Sequence, residues 1–401
     1  MKERRLAFLQ PPEIEGLAYP EDCPFKTARA DLTRRRLRSF GSLGGAGREE
    51  IAPRKACLEE LARFHTPDYL AELQRAAAGD LTVEGLHMGL GSPDTPVFPA
   101  LFDYGAWACG AGLTAAELLL EGRFDVVFNL LGGFHHAGAA RAAGFCYLND
   151  VVLACECLAR AGRRVVCLDV DAHHGDGTQA AFYARRDVLT ISLHESGKTL
   201  FPWGGFEDEI GEGAGEGFNA NVSLPARTYD TAFLAAVDRV VRPLLRAYDP
   251  DVLVVELGAD TLAGDPLTHL SLTNNALREL IQRLLELERP VLLVGGGGYH
   301  VENTVRAWAL AWQTFAGEDA DDLSLGMGGV FLGNSEWAGG LRDPVLPVAP
   351  EQRAAVDGPL ENAICEVQRR VFPRHGLPAS EAIPPRGAGS TPIPLSGDKQ
   401  N

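Results

Sequence analysis

The sequence predicts an α/β protein, a single domain around one mostly parallel sheet with helices on both faces. Two observations carry this. Five short apolar runs, at 124–130, 164–171, 188–194, 251–258 and 290–295, are rich in Val, Leu and Ile and lack polar alternation. Strands covered on both sheet faces read that way. Between and after them lie helical patterns at 104–121, 150–161, 231–248, 273–287 and 301–315. Alternation of strand and helix builds parallel sheets, and ligands then bind outside the carboxyl ends of the strands.

The element ends agree with this reading. Asn149 or Asp150 suits the N-cap of the helix at 150–161, and Thr273 that of the helix at 273–287. The basic run Arg34-Arg35-Arg36 reads as a solvated helix face. Residues 1–372 form the expected domain. From Pro373 to 401 the chain is rich in Pro, Gly and Ser, the composition of a disordered tail.

Charge and cysteine usage narrow the function classes. A net charge of −17 argues against a broad nucleic-acid surface and against adhesion to anionic membranes. The eight cysteines contain no CxxC pair, so they read as reduced, buried thiols of a cytoplasmic protein. The N-terminal apolar run at 6–9 is too short for a signal peptide, and no segment approaches membrane-spanning length.

Four segments carry chemistry, each at the end of an expected strand. In VVCLDVDAHHGDG (165–177), strand alternation points Asp169 and Asp171 to one face. Two carboxylates there repel and lose hydration, so they need a cation, hydrogen bonds or a shared proton. His173 continues the period, and an Asp-x-His step has the residue types for a divalent metal. Helix capping by Asp176, or by Asp171 alone, accounts for only part of the cluster.

In LGGFHHA (131–137), glycines free the backbone to place His135 and His136 in a cleft, where imidazole passes protons near neutral pH. In ELGADTLAGDP (256–266), Asp260 belongs at the same sheet edge, although alone it would read as a turn residue. VGGGGYH (294–300) is not a P-loop, because no Lys-Ser/Thr follows the glycines. It sets Tyr299 at the rim, where a phenol can donate to a developing oxyanion. Alone it would read as a buried turn tyrosine.

Together the four segments resemble the zinc-dependent histone deacetylase family, which includes bacterial acetoin-utilisation proteins and acetylpolyamine amidohydrolases. The likeness also takes in PFKTAR (24–29), FHTPDYL (64–70), GFCYLND (144–150) and SLHESGKTLFP (192–202), and so covers most of the chain. It implies the arginase/deacetylase-like three-layer α/β/α fold. It implies Asp171, His173 and Asp260 as metal ligands, His136 as general base and acid, and His135 as its electrostatic neighbour. It implies Asp169 and Asp176 as the carboxylates behind the histidines and Tyr299 as the oxyanion donor. Substrate contacts are implied at Asp94, Gly144, Phe145, Phe201, Leu267 and Gly298. A potassium ion is implied at Asp169, Asp171, His173, Ser192 and Leu193.

The implied activity is removal of acetyl or other short acyl groups from protein lysines. Acetylated polyamines are the alternative substrate. The implied metal is zinc, with Fe(II) or cobalt also suited to the donors. More distant readings are a binuclear ureohydrolase of arginase type and a non-catalytic acyl-lysine binder. The tandem histidines speak against the first, and the histidines with Tyr299 against the second. Departures from the common pattern fall at Leu131, Phe134 and Trp203–Gly205, near the rim, and at Glu256, where relatives usually carry an uncharged residue. Five acids in the segment at 207–216 read as a solvated loop, or else as a lure for cationic substrates.

Overall fold

The computed structural model describes residues 4–14, 16–318 and 340–380. Eight strands form one sheet: β1 (Leu6–Leu9), β2 (Arg48–Ile51), β3 (Val126–Asn129), β4 (Val165–Asp169), β5 (Val188–Glu195), β6 (Asn219–Leu224), β7 (Val252–Glu256) and β8 (Val291–Val294). Their order is β2-β1-β3-β8-β7-β4-β5-β6, and every pairing is parallel. All residues of β3, β4, β5, β7 and β8 are buried, as their unbroken apolar runs require when both faces are covered.

Helix Leu101–Leu120 packs on helix Asp150–Arg160, while Val301–Ala316 packs on Arg29–Ser39 and Asn274–Leu285. Each fully buried Leu or Val in this core contributes about 1.5–3 kcal/mol relative to exposure. Asn149 caps its helix, its side chain accepting from the Val152 amide at 2.8 Å. Thr273 stands at the other predicted N-cap, but its hydroxyl donates to Asp230 at 2.6 Å instead. The expected helix at 231–248 is real but carries a π turn at Val237–Val241.

Three strands lie outside the apolar runs that predicted the sheet. β1 was visible only as a short apolar stretch. β2 (REEI) is an edge strand with a half-exposed, charged pattern. At the other edge, β6 (NANVSL) buries Asn219 and Asn221, whose amides donate to Gln179 at 2.7 and 2.8 Å. Those bonds pair the side-chain N–H groups of residues that hydropathy alone would exclude from a core.

The first residues of the expected tail, from Pro373, pack on the domain. Phe372–His375 forms a 3₁₀ turn, Arg374 pairs with Glu216, and His375 Nε2 meets the Gly217 carbonyl at 2.8 Å. The rest of that segment, 381–401, lies outside the described residues. The basic helix face is solvated and paired: Arg34 and Arg38 meet Glu50, Arg35 meets Asp31, and Arg36 meets Glu302. All eight cysteines are free thiols. No helix among the described residues is long and apolar enough to cross a membrane.

Candidate active site and metal centre

The four strands that precede the four chemical segments are neighbours in the sheet, in the order β3-β8-β7-β4. Asn129, Val294, Glu256 and Asp169 stand level across them in register. The loops that follow therefore leave one edge together, which is where sites form in parallel sheets.

Asp171, His173 and Asp260 converge there. His173 Nδ1 lies 3.1 Å from Asp171 Oδ1 and 2.9 Å from Asp260 Oδ2, and one donor atom of each falls within 4.8 Å of the others. All three residues are buried. Burial and the Asp171 charge push the Asp260 carboxyl up to about 7. Burial would lower His173, but hydrogen bonds to both aspartates raise it to about 10. Such a group is short of positive charge. Two carboxylates and an imidazole are a donor set for a divalent ion of the zinc kind, so the residues fit the metal.

The strand alternation that pairs Asp169 with Asp171 does not survive past the strand end. β4 stops at Asp169, and the two carboxylates part. Asp171 joins the metal group. Asp169 Oδ2 instead meets His135 Nδ1 at 2.8 Å, and its Oδ1 accepts from the Asp171 amide at 3.0 Å. Hydrogen bonding to different partners relieves part of their repulsion.

The tandem histidines are set apart by their surroundings. His136 Nδ1 lies 2.7 Å from Asp176 Oδ1, and the two Nε2 atoms lie 3.1 Å apart. Burial would lower His135, but the Glu256 and Asp169 carboxylates hold it well above the usual range. Burial and the His135 charge take His136 down to about 4. Their surroundings thus push the two imidazoles in opposite directions, a division suited to acid–base work.

Rings enclose the space above. The His136 ring is 5.9 Å from that of His173 and 5.1 Å from that of Phe201, and Tyr299 lies 6.2 Å from His173 and 5.9 Å from Phe145. Gly144 forms part of the same wall: a Cβ there would come within 2.4 Å of His136 and 3.1 Å of Phe201. Leu267 and Asp94 are exposed, and the Asp94 carbonyl accepts from the Phe145 amide at 2.8 Å. Gly298 lies behind, its carbonyl accepting from Arg29 at 2.7 Å. Asp169 and Ser192 are cross-strand neighbours, and the Ser192 hydroxyl meets His194 Nδ1 at 2.7 Å.

Sequence reasoning missed several supports of this site. Asp150, expected only near a helix cap, accepts from the Gly133 and Phe134 amides at 3.0 and 2.9 Å and so holds the histidine loop. Asp265 accepts from the Tyr299 and Leu267 amides at 2.8 and 2.9 Å. Arg29 is buried beneath, bonded to the Gly296 and Gly298 carbonyls and lying over Phe25 and Trp308. Only the motif PFKTAR marked Arg29. The others bond to backbone amides far along the chain, which spacing does not show.

Three of the five acids in the acidic segment are paired within the fold. Glu209 accepts from the Gly205 and Phe206 amides, each at 2.9 Å, and from Gln179 at 2.6 Å. Glu207 accepts from the Ser223 amide, and Glu216 pairs with Arg374.

Residues 23–315 match the histone deacetylase domain family. The chain is 37% identical over 324 residues to the acetoin utilization protein AcuC of Bacillus subtilis, covering 79% of this chain and 83% of that one. It is 40% identical over 260 residues to histone deacetylase 8 of Xenopus laevis, covering 64% and 80%. Among solved structures it is similar to an HDAC homologue from Aquifex aeolicus, with a TM-score of 0.79, 31% identity and coverage of 90% and 100%. An HDAC homologue complexed with SAHA gives a TM-score of 0.78 at 32% identity, with the same coverage. With the fold, the buried donor group and the tandem histidines, these likenesses place the chain in the histone deacetylase family, as a bacterial-type deacetylase hydrolase.

Proposed function

We propose that this enzyme removes acetyl or other short acyl groups from lysine side chains of proteins. The observation that carries the reading is a convergence. The Asp171–His173–Asp260 group, the His135–His136 pair and Tyr299 face one space walled by Phe145 and Phe201. Aromatic walls suit the apolar stem of an acyl-lysine side chain. The 40% identity to a histone deacetylase supports a protein substrate.

Asp171, His173 and Asp260 would hold the metal, with zinc first and Fe(II) or cobalt as the alternatives. The bound ion supplies a Lewis acid for the amide carbonyl and makes water more acidic. The chain supplies the rest. Neutral His136 takes the proton of the attacking water and later returns it to the leaving amine. His135, charged, stabilises the negative charge that develops beside it. The Tyr299 hydroxyl donates to the carbonyl oxygen as it becomes an oxyanion. Asp169 and Asp176 hold both imidazoles by Nδ1, leaving the Nε2 atoms for this work. Asp94 at the rim binds the substrate backbone. Leu267 and Gly144 line the passage, and Gly298 fixes the tyrosine turn. Potassium is assigned to Asp169, Asp171, His173, Ser192 and Leu193, partly through backbone carbonyls. The assigned location is the cytoplasm.

Acetylated polyamines are the second reading, favoured by the surplus of negative charge. A panel of acetyl-lysine peptides, longer acyl-lysine peptides and acetylspermidine, run with metal-loaded enzyme, tests both. Higher kcat/KM on acetylspermidine than on every peptide would reverse the order. Turnover of none of them would overturn the function.

A further inference from the structure

Glu256 is a buried acid that the reaction above does not use. It ends β7, and its side chain is 0% exposed. In register it stands beside Asp169 on β4, so two acids neighbour each other across paired strands. Like charges in that arrangement destabilise a sheet, and an uncompensated buried carboxylate costs several kcal/mol. Neither Glu256 oxygen has a hydrogen-bond partner among the described residues. What faces it is His135: Nδ1 lies 3.2 Å from Glu256 Oε1 and 2.8 Å from Asp169 Oδ2. The backbone makes room for this, since a Cβ on Gly296 would come within 3.1 Å of Glu256 Oε1.

We propose that Glu256 is a second positioning carboxylate for His135, holding its Nδ1–H between two acids so that Nε2 stays aimed at His136. This rests on the acid–base role given above to the histidine pair. A core acid with no hydrogen bond adds nothing to stability that a neutral side chain of the same shape would not. Its effect is on the imidazole. With one carboxylate, His135 can swing about a single hydrogen bond. With acids on two strands, its ring plane and tautomer are set by the sheet itself.

The test compares wild type, Glu256→Gln and Glu256→Leu in metal-loaded full-length enzyme. The readouts are kcat and KM on an acetyl-lysine peptide, thermal melting, metal content and the nitrogen-15 signals of the His135 ring. Glu256→Leu is expected to lose roughly 10- to 100-fold in kcat with KM within about twofold, as when an outer partner of a working histidine is removed. Glu256→Gln, which keeps an oxygen in place, should recover part of that loss. Both should melt no lower than wild type and shift the His135 signals. Unchanged kcat and unchanged ring signals in both variants would overturn the proposal. So would a second metal equivalent per chain that Glu256→Leu loses, because His135, Asp169 and Glu256 would then be ligands of an ion. If wild type itself cleaves no amide, the deacetylase reading fails, and the ring signals still decide what Glu256 does.

Discussion

His136 Nδ1 lies 2.7 Å from Asp176 Oδ1, and the same imidazole turns its Nε2 to within 3.1 Å of His135 Nε2. In the proposed reaction Asp176 therefore decides which nitrogen of His136 is left to take a proton. Asp176→Asn is expected to lower kcat roughly 10- to 100-fold while leaving KM and metal content close to wild type. Steady-state kinetics on an acetyl-lysine peptide, with metal analysis alongside, checks this. Wild-type kcat would remove Asp176 from the mechanism.

Tyr299 enters the site on a turn held by Asp265. Tyr299→Phe keeps that turn and removes only the hydroxyl. The expected outcome is full metal occupancy with kcat reduced by roughly 10²–10³, the usual effect of losing one oxyanion donor. Near-normal turnover would show that the phenol does not reach the reacting oxygen.

The proposed metal ligands are positioned by backbone as well as by one another. The Gly297 amide donates to Asp171 Oδ2 at 2.5 Å, and a Cβ on Gly297 would sit 2.1 Å from Asp260 Oδ2. Gly297→Ala is thus expected to lose metal although it removes no ligand, and Asp171→Ala to lose it altogether. Elemental analysis of dialysed protein measures both. Wild-type protein is expected to hold one catalytic equivalent per chain. Two equivalents would revive the binuclear ureohydrolase alternative.

Acid stability follows from a histidine outside the metal group. His65 is buried, its Nε2 accepts from the Asn149 amide at 3.0 Å, and burial lowers it to about 4. Its folded value lies below its unfolded one, so the unfolded chain binds more protons between them. The contribution is complete above about pH 6.5 and is lost as pH falls toward 4, to a total of about 3 kcal/mol. Urea unfolding at pH 7, 6 and 5 should show this loss, and His65→Gln should flatten it. An equal pH slope in the variant would assign the loss to other groups.

Each of the five apolar runs became a strand, because a strand buried on both faces needs apolar residues wherever it lies. The donor types in Asp171, His173, Asp260, His135, His136 and Tyr299 were also visible, because each follows such a strand. The edge strand β2 and the asparagine-bearing β6 were not visible, since solvent covers one and side-chain amides satisfy the other.

By itself, then, the sequence determined a parallel α/β sheet and the kinds of chemical group at its carboxyl edge, because hydrophobic pattern and donor chemistry belong to the residues. Only the tertiary structure decided that β3, β8, β7 and β4 are neighbours, and so that four separate segments make one site. It also parted Asp169 from Asp171 and set Glu256 against His135. Those relations depend on strand order and register, which arise from packing between residues far apart in the chain.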